Sequence, residues 1–167
     1  MSIRRALTAV LALVLVSTGL AVAPGSGAQA ADDRHAGYYY PVPQSSEVYN
    51  ARAQTLEEAD RTLRIGFVTG VTNQALSRPH PPSFAMFAKG AEGQKLVIVA
   101  LTDGPLDTIY RARAVFANLT AVARVMPIFK ELGVQEWFTF FDLAKLMGFQ
   151  QITISDGRNF AHQVIID

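Results

Sequence analysis

The sequence predicts one α+β domain: an antiparallel sheet of about five strands, two or three helices packed on one face, and a C-terminal β-hairpin. Three observations carry this. FAMFAKG and KLVIVAL, separated by AEGQ, read as two strands around a glycine-containing loop. TDGPLD opens the longest helical run, and TFFDLAKLMGF has the form of a compact capped helix. QITISDGRNFAHQVII closes the chain as a hairpin about Asp156-Gly157.

In chain order, residues 1–30 read as a cleavable export signal. Arg4 and Arg5 form a charged start, Ala6 to Ala23 carries no charge, Pro24 and Gly25 break the helix, and Ala28-Gln29-Ala30 places small residues where a signal peptidase cuts. An uncleaved anchor is the alternative, because the apolar run is near the lower limit for spanning. The neighbours of Arg4-Arg5 lack a twin-arginine pattern, so Sec-type export with cleavage after Ala30 and a periplasmic location is expected.

Residues 31–50 are polar, aromatic and Pro-containing, and read as an extended arm. Tyr38, Tyr39 and Tyr40 are its candidate binding residues. In extended chain Tyr38 and Tyr40 share one side and Tyr39 takes the other, while Pro41 and Pro43 limit the entropy lost on docking. Such an arm either covers a sheet face of its own domain that the helices leave open, which is the favoured version, or grips a partner in the envelope.

The domain proper is expected over 51–167. ARAQTLEEADRTL (51–63) has helical composition, and RIGFVTGV (64–71) reads as a strand with glycines inside it. SRPHPP (77–82) is an extended connector. KLVIVAL is apolar on both faces and belongs at the centre of the sheet. The long helix is expected to start with Gly104 at its N-cap and Pro105 at its first position, then to end or kink at Pro127, with Gly133 closing a short turn. Thr139 and Asp142 have capping-box spacing and Gly148 is a C-terminal stop. In the last hairpin an odd-length loop, written as three residues, keeps Ile152, Ile154, His162, Val164 and Ile166 on one apolar face; an even loop would scatter them.

Composition narrows the function. After residue 30 the chain holds 13 basic and 14 acidic residues, a formal charge of −1. That balance excludes a basic nucleic-acid face and gives no reason for an anionic membrane partner once the signal is removed. The chain has no cysteine, hence no disulfide, thiolate nucleophile or thiolate metal site. None of His35, His80 and His162 has a metal-ligand partner at local spacing, so no metal and no cofactor are expected. His162 reads as a core histidine. His80, in the proline-rigid loop, is the better-exposed candidate for chemistry, with Asp103 and Asp107 as the other weak catalytic candidates. Acids at a helix start and an Asp107–Arg111 i,i+4 pair equally explain those two aspartates structurally. Serines 45, 46, 77, 83 and 155 have no nucleophile-elbow context. Phe138, Phe140, Phe141, Leu143, Met147 and Phe149 either line a ligand pocket or, as is commoner at helical spacing, form core.

Several phrases, ADDRHAGYYYP, RIGFVTG, the FAKG hairpin, DTIYRARA, FTFFDLAKLMGF and ITISDGRNFAHQV, together resemble a group of small exported proteins of Gram-negative bacteria over essentially the whole chain after the signal. The resemblance implies a periplasmic protein and carries over no catalytic residues. Some members of that group bear the label molybdopterin-guanine dinucleotide biosynthesis protein A. Nucleotidyltransferases of that name open with a glycine-rich L-x-G-G-type loop ending in a phosphate-handling lysine; this chain has no Gly-Gly pair, and Gly70 in TGVTNQALSR is followed by no such lysine.

The expected function is a non-enzymatic periplasmic module that binds a small ligand or an envelope protein. A small enzyme using dispersed His80, Asp103 and Asp107 is the first alternative, and a role tied to molybdopterin-guanine dinucleotide synthesis, from the label alone, is the second. The intact mass of the protein recovered from the periplasm is expected to match a chain beginning at Ala31; Met1 retained in the membrane fraction would contradict the signal reading.

Overall fold

The computed structural model describes residues 40–104 and 106–167. The predicted signal, the cleavage site, Tyr38, Tyr39 and Pro105 fall outside those residues. The elements are β1 (Ser45–Tyr49), α1 (Arg61–Leu76), β2 (Phe84–Lys89), β3 (Lys95–Ala100), α2 (Ile109–Arg124), α3 (Pro127–Leu132), α4 (Phe140–Leu146), β4 (Gln151–Ser155) and β5 (Ala161–Ile166). The class is α+β and the sheet has five strands, in the order β1-β5-β4-β3-β2.

The sheet is mixed rather than antiparallel. β2–β3 and β4–β5 are antiparallel hairpins, but β3–β4 and β1–β5 run parallel. Between β3 and β4 the chain passes through α2, α3 and α4, and a crossover of that length returns a strand in the direction it left. β1, expected to be part of an extended arm lying on its domain and not a strand of the sheet, forms the sheet edge beside the last strand.

Register sorts the side chains. Ala88, Leu96, Ile152, Val164 and Glu47 lie in one row across the five strands, with Met86, Ile98, Ile154 and His162 one step along on the same face. The apolar members pack with Phe116, Phe129, Phe140, Leu143 and Phe149 from the helical side into one core. The opposite face carries Val97, Val99, Thr153, Ser155 and Ala161, all buried although they belong to no part of that core. Lys89 alternates with Ala88 and points to this second face, and the Tyr40 ring centroid lies 4.6 Å from its ammonium. Gln44 N–H donates to Ala161 O at 3.0 Å. The segment from Tyr40 to Gln44 therefore runs across the second face, from the β2 edge to β5.

Two elements between β1 and β2 differ from expectation. The helix expected over 51–63 is mostly loop, because its N–H groups are taken by distant partners. Ala51 donates to Asp167 O at 2.9 Å, Leu56 to Leu146 O at 3.0 Å, and Arg52 to the Asp142 carboxylate at 2.7 Å. The strand expected over 64–71 is the first half of α1. Asp60 caps it, accepting from Leu63 N–H at 2.7 Å. Leu63, Phe67 and Val71 form the inward stripe with Arg64 and Val68, a spacing of three to four that overrides the β-branched composition. Gly66 and Gly70 are four residues apart on the exposed side and mark no bulge.

α2 starts one turn later than Gly104-Pro105 suggested. Gly104 has φ +94°, outside the extended region a cap needs, and Thr108 caps instead, with φ −143° and ψ 155°. Pro127 closes α2 by standing at the first turn of α3, and Gly133 caps α3 in the left-handed conformation at φ 67°. There are thus four helices among the described residues. The capping box of α4 is present as read, with Thr139 and Asp142 bonding reciprocally. The terminal hairpin keeps the expected parity, pairing Ile154 with His162 and Ile152 with Val164, but its loop spans 156–160 rather than three residues. Asp156 holds the longer loop by accepting from the N–H groups of Arg158, Asn159 and Phe160 at 2.8, 2.9 and 2.8 Å.

A Cβ added at Gly66 or Gly70 meets nothing within 4 Å. Gly66→Ala and Gly70→Ala are each expected to stabilise the protein by about 0.5–1 kcal/mol, the helix-interior penalty of glycine. Urea unfolding of the two variants checks this; a loss at both positions would mean that this segment is not helix.

Candidate functional site

At one end of the sheet the molecule opens into a groove of about 930 Å³. The C-terminal half of α1 forms one wall and that of α2 the other. Phe84 and Met86 of β2 close the side, and Phe140 and Leu143 of α4 also line it. The 78–83 connector runs along the rim, its backbone restricted by Pro79, Pro81 and Pro82. Four apolar residues around this opening, Leu76, Leu101, Val122 and Val125, are exposed, Leu76 at 67% and Val125 at 65%. Among the described residues the only charged or titratable side chains lining the groove are Arg78 and His80, and no acid lines it. Of the aromatic stripe in the sequence, only Phe140 and Leu143 reach the groove, and Phe149 and Met147 are core.

The sequence candidates separate. His80 sits on the groove. Asp103 is ion-paired to Arg158 at 2.9 Å, and Asp107 to Arg111 at 2.8 Å, all on exposed surface. Neither aspartate lines the groove. The pairing with Arg111 four residues on accounts for Asp107, which lies before the Thr108 cap and not in the first turn of α2, while Asp103 takes a partner from the last hairpin loop. Tyr40 packs on Lys89 of its own domain.

A second constellation was not legible in the sequence. His162, 1% exposed, faces Ser45 across the β1–β5 pair, with Nδ1 2.8 Å from the Ser45 hydroxyl. Its Nε2 lies 3.2 Å from Glu47 Oε1, without the alignment of a hydrogen bond, and Glu47 Oε2 accepts from Arg113 at 3.0 Å. Burial works to raise the Glu47 carboxyl, but His162 and Arg113 outweigh it and hold it below its ordinary value. A serine, a histidine and an acid in line invite a nucleophilic reading. The geometry opposes it. The shallow cavity alongside, about 260 Å³, has Glu47 and Arg113 in its walls but neither Ser45 nor His162. Neither the groove nor this cavity brings a substrate to the Ser45 hydroxyl. The trio instead ties edge strand β1 to β5. Its only sequence trace is Ser45 and Glu47 two apart on one strand face; the parallel partner is invisible locally.

A third cluster is wholly structural. The Asp142 side chain is fully buried. Its Oδ2 accepts from the Thr139 N–H at 2.8 Å, the Thr139 hydroxyl at 2.9 Å and the Tyr49 hydroxyl at 3.1 Å; Oδ1 accepts from Arg52 N–H at 2.7 Å. Burial pushes this carboxyl up, but the two backbone N–H groups and two hydroxyls prevail and hold it below the usual carboxylate range.

Among the described residues no group of three or more His, Asp or Glu is placed to hold a metal ion, and no helix is long and apolar enough to cross a membrane. No protein family, curated protein or solved structure matches the chain.

Asp142→Asn is expected to cost about 2–4 kcal/mol at pH 7, since amide donors would face the donors the carboxylate now accepts from. Because the folded carboxyl is held below its ordinary value of about 3.9, its contribution is full above that pH and fades as pH falls through the lower folded value. The gap between parent and variant should therefore narrow below about pH 4. Urea unfolding at pH 7 and pH 3 checks both points.

Proposed function

We propose that the protein is a non-enzymatic, exported binding module whose working site is the groove between α1 and α2 and whose ligand is a small apolar molecule. The observation that carries this is a concave space of about 930 Å³, walled by two helices and a proline-restricted rim and lined mostly by apolar side chains. Ligand pockets have that size and that lining, with few polar groups for orientation. Export is supported by Arg4-Arg5, the apolar run and Ala28-Gln29-Ala30.

The dispersed enzyme has less support, since Asp103 and Asp107 each take their own arginine away from His80. A guanine-nucleotide role rests on the resemblance alone, and the described residues lining the groove offer phosphates one arginine and no lysine.

An environment-sensitive apolar dye is expected to bind saturably at one site. Val122→Asp, on the α2 wall, should weaken it at least tenfold. Val48→Asp, equally exposed on the far edge of the sheet, should not. Equal binding by both variants would reject the groove.

A further inference from the structure

We infer that the groove's ligand is a long-chain free fatty acid, with its carboxylate at Arg78 and its chain running inward between α1 and α2. This rests on the binding reading above and adds the charge and shape of the ligand. Four observations support it.

The first is the sign of the site. Acids and bases are nearly balanced in the chain after residue 30, yet the described residues that line the groove include one arginine, one histidine and no acid. An apolar cation would meet only Arg78. A neutral ligand would leave that guanidinium unused.

The second is that Arg78 is unengaged. Among the described arginines, Arg52, Arg64 and Arg124 donate to backbone carbonyls, Arg111, Arg113 and Arg158 pair with acids, and Arg61, at the start of α1 and off the groove, is the other without a side-chain partner. Among the described residues the Arg78 side chain has no hydrogen-bond or ion-pair partner, and it alone of the described arginines lines the groove. A guanidinium presents a planar fork of donors that matches a carboxylate with two parallel bonds.

The third is preorganisation. Pro79, Pro81 and Pro82 follow Arg78 directly and flank His80, so the head-group end has little backbone freedom to lose on binding. Beside it, His80 supplies a ring N–H donor.

The fourth is shape. Beyond Arg78 the walls are Phe67, Val71, Leu119, Met126 and Phe140, with no charge among them, which suits an alkyl chain. Met126, with its flexible thioether, and the exposed Val122 and Val125 at the end of α2 can adjust to chain length.

The test uses the purified protein and a fluorescent C18 polyene fatty acid, its methyl ester, and a lysophospholipid of equal chain length. The acid is expected to bind at least tenfold more tightly than the ester. Arg78→Gln should erase that advantage, and Val122→Asp should weaken acid and ester alike. Ester and acid binding equally, or Arg78→Gln leaving the acid unaffected, would overturn the carboxylate assignment while the apolar groove stands. Tighter binding of the lysophospholipid, or displacement of the acid by an amphipathic helical peptide at lower concentration, would overturn the fatty acid as occupant. No binding of acid or ester to protein that unfolds cooperatively would reject the groove itself.

Discussion

A buried arginine with no carboxylate partner holds the helical layer to the sheet. Arg64 is 6% exposed in the first turn of α1. Its Nε donates to Glu92 O in the β2–β3 turn at 2.9 Å, and Nη1 reaches Ala59 O at 3.2 Å and Met147 O at 3.4 Å. One cation thus joins the entry to α1, the turn of the first hairpin and the end of α4. The carbonyls at a helix C-terminus have no partner within the helix and carry the negative end of its dipole, so a desolvated guanidinium is well matched there. Gly148 makes the approach possible. Its φ is +75°, and a Cβ there would lie 2.7 Å from Arg64 Nη1. A side chain at 148 would be strained twice over, by its own backbone and by the cation.

Asp142 does the complementary task at the other end of the same helix. Its carboxylate takes the Thr139 and Arg52 N–H groups and two hydroxyls at the positive end of the α4 dipole. α4 has only seven residues, too few to persist by propensity. It is held by opposite charges at its two ends, each satisfied by hydrogen bonds. Phe140 and Leu143 project from this fixed helix into the groove, so that part of the proposed ligand site is a rigid surface, and adaptation is left to the α1 and α2 walls.

What was legible in the sequence was local. The capping box at Thr139–Asp142, the left-handed stop at Gly148, the FAMFAK–KLVIVA hairpin and the parity of the last hairpin all depend on residues a few positions apart. The long apolar run of β3 also reads truly as a strand buried on both faces. Where the reading failed, distant partners decided. The loop over 50–60 gives its N–H groups to residues of the last third of the chain, which no helical pattern in ARAQTLEEADRTL reveals. In α1, two glycines and a β-branched composition masked the Leu63, Phe67 and Val71 stripe. The parallel pairs required knowing that α2–α4 form one crossover. Of the groove, His80 and the stripe residues Phe140 and Leu143 were singled out, by a proline-rich loop and a helical period. Arg78 was not, because what distinguishes it is an unpartnered place on the groove wall, a property that only three dimensions disclose.

The pairing of β1 with β5 also dictates an order of assembly. Ser45 and His162, neighbours in the sheet, are 117 residues apart in the chain, and the first strand has no other strand to lean on. Closing so large a loop is entropically costly until most of the interior is already in place. β1 and the Tyr40–Gln44 segment that precedes it must therefore dock after the hairpins and the crossover have formed. For a chain threaded through a secretion channel from its N-terminus, as proposed here, the leading segment stays unpaired until the last strand has emerged. The topology itself then delays completion of the sheet until translocation is over.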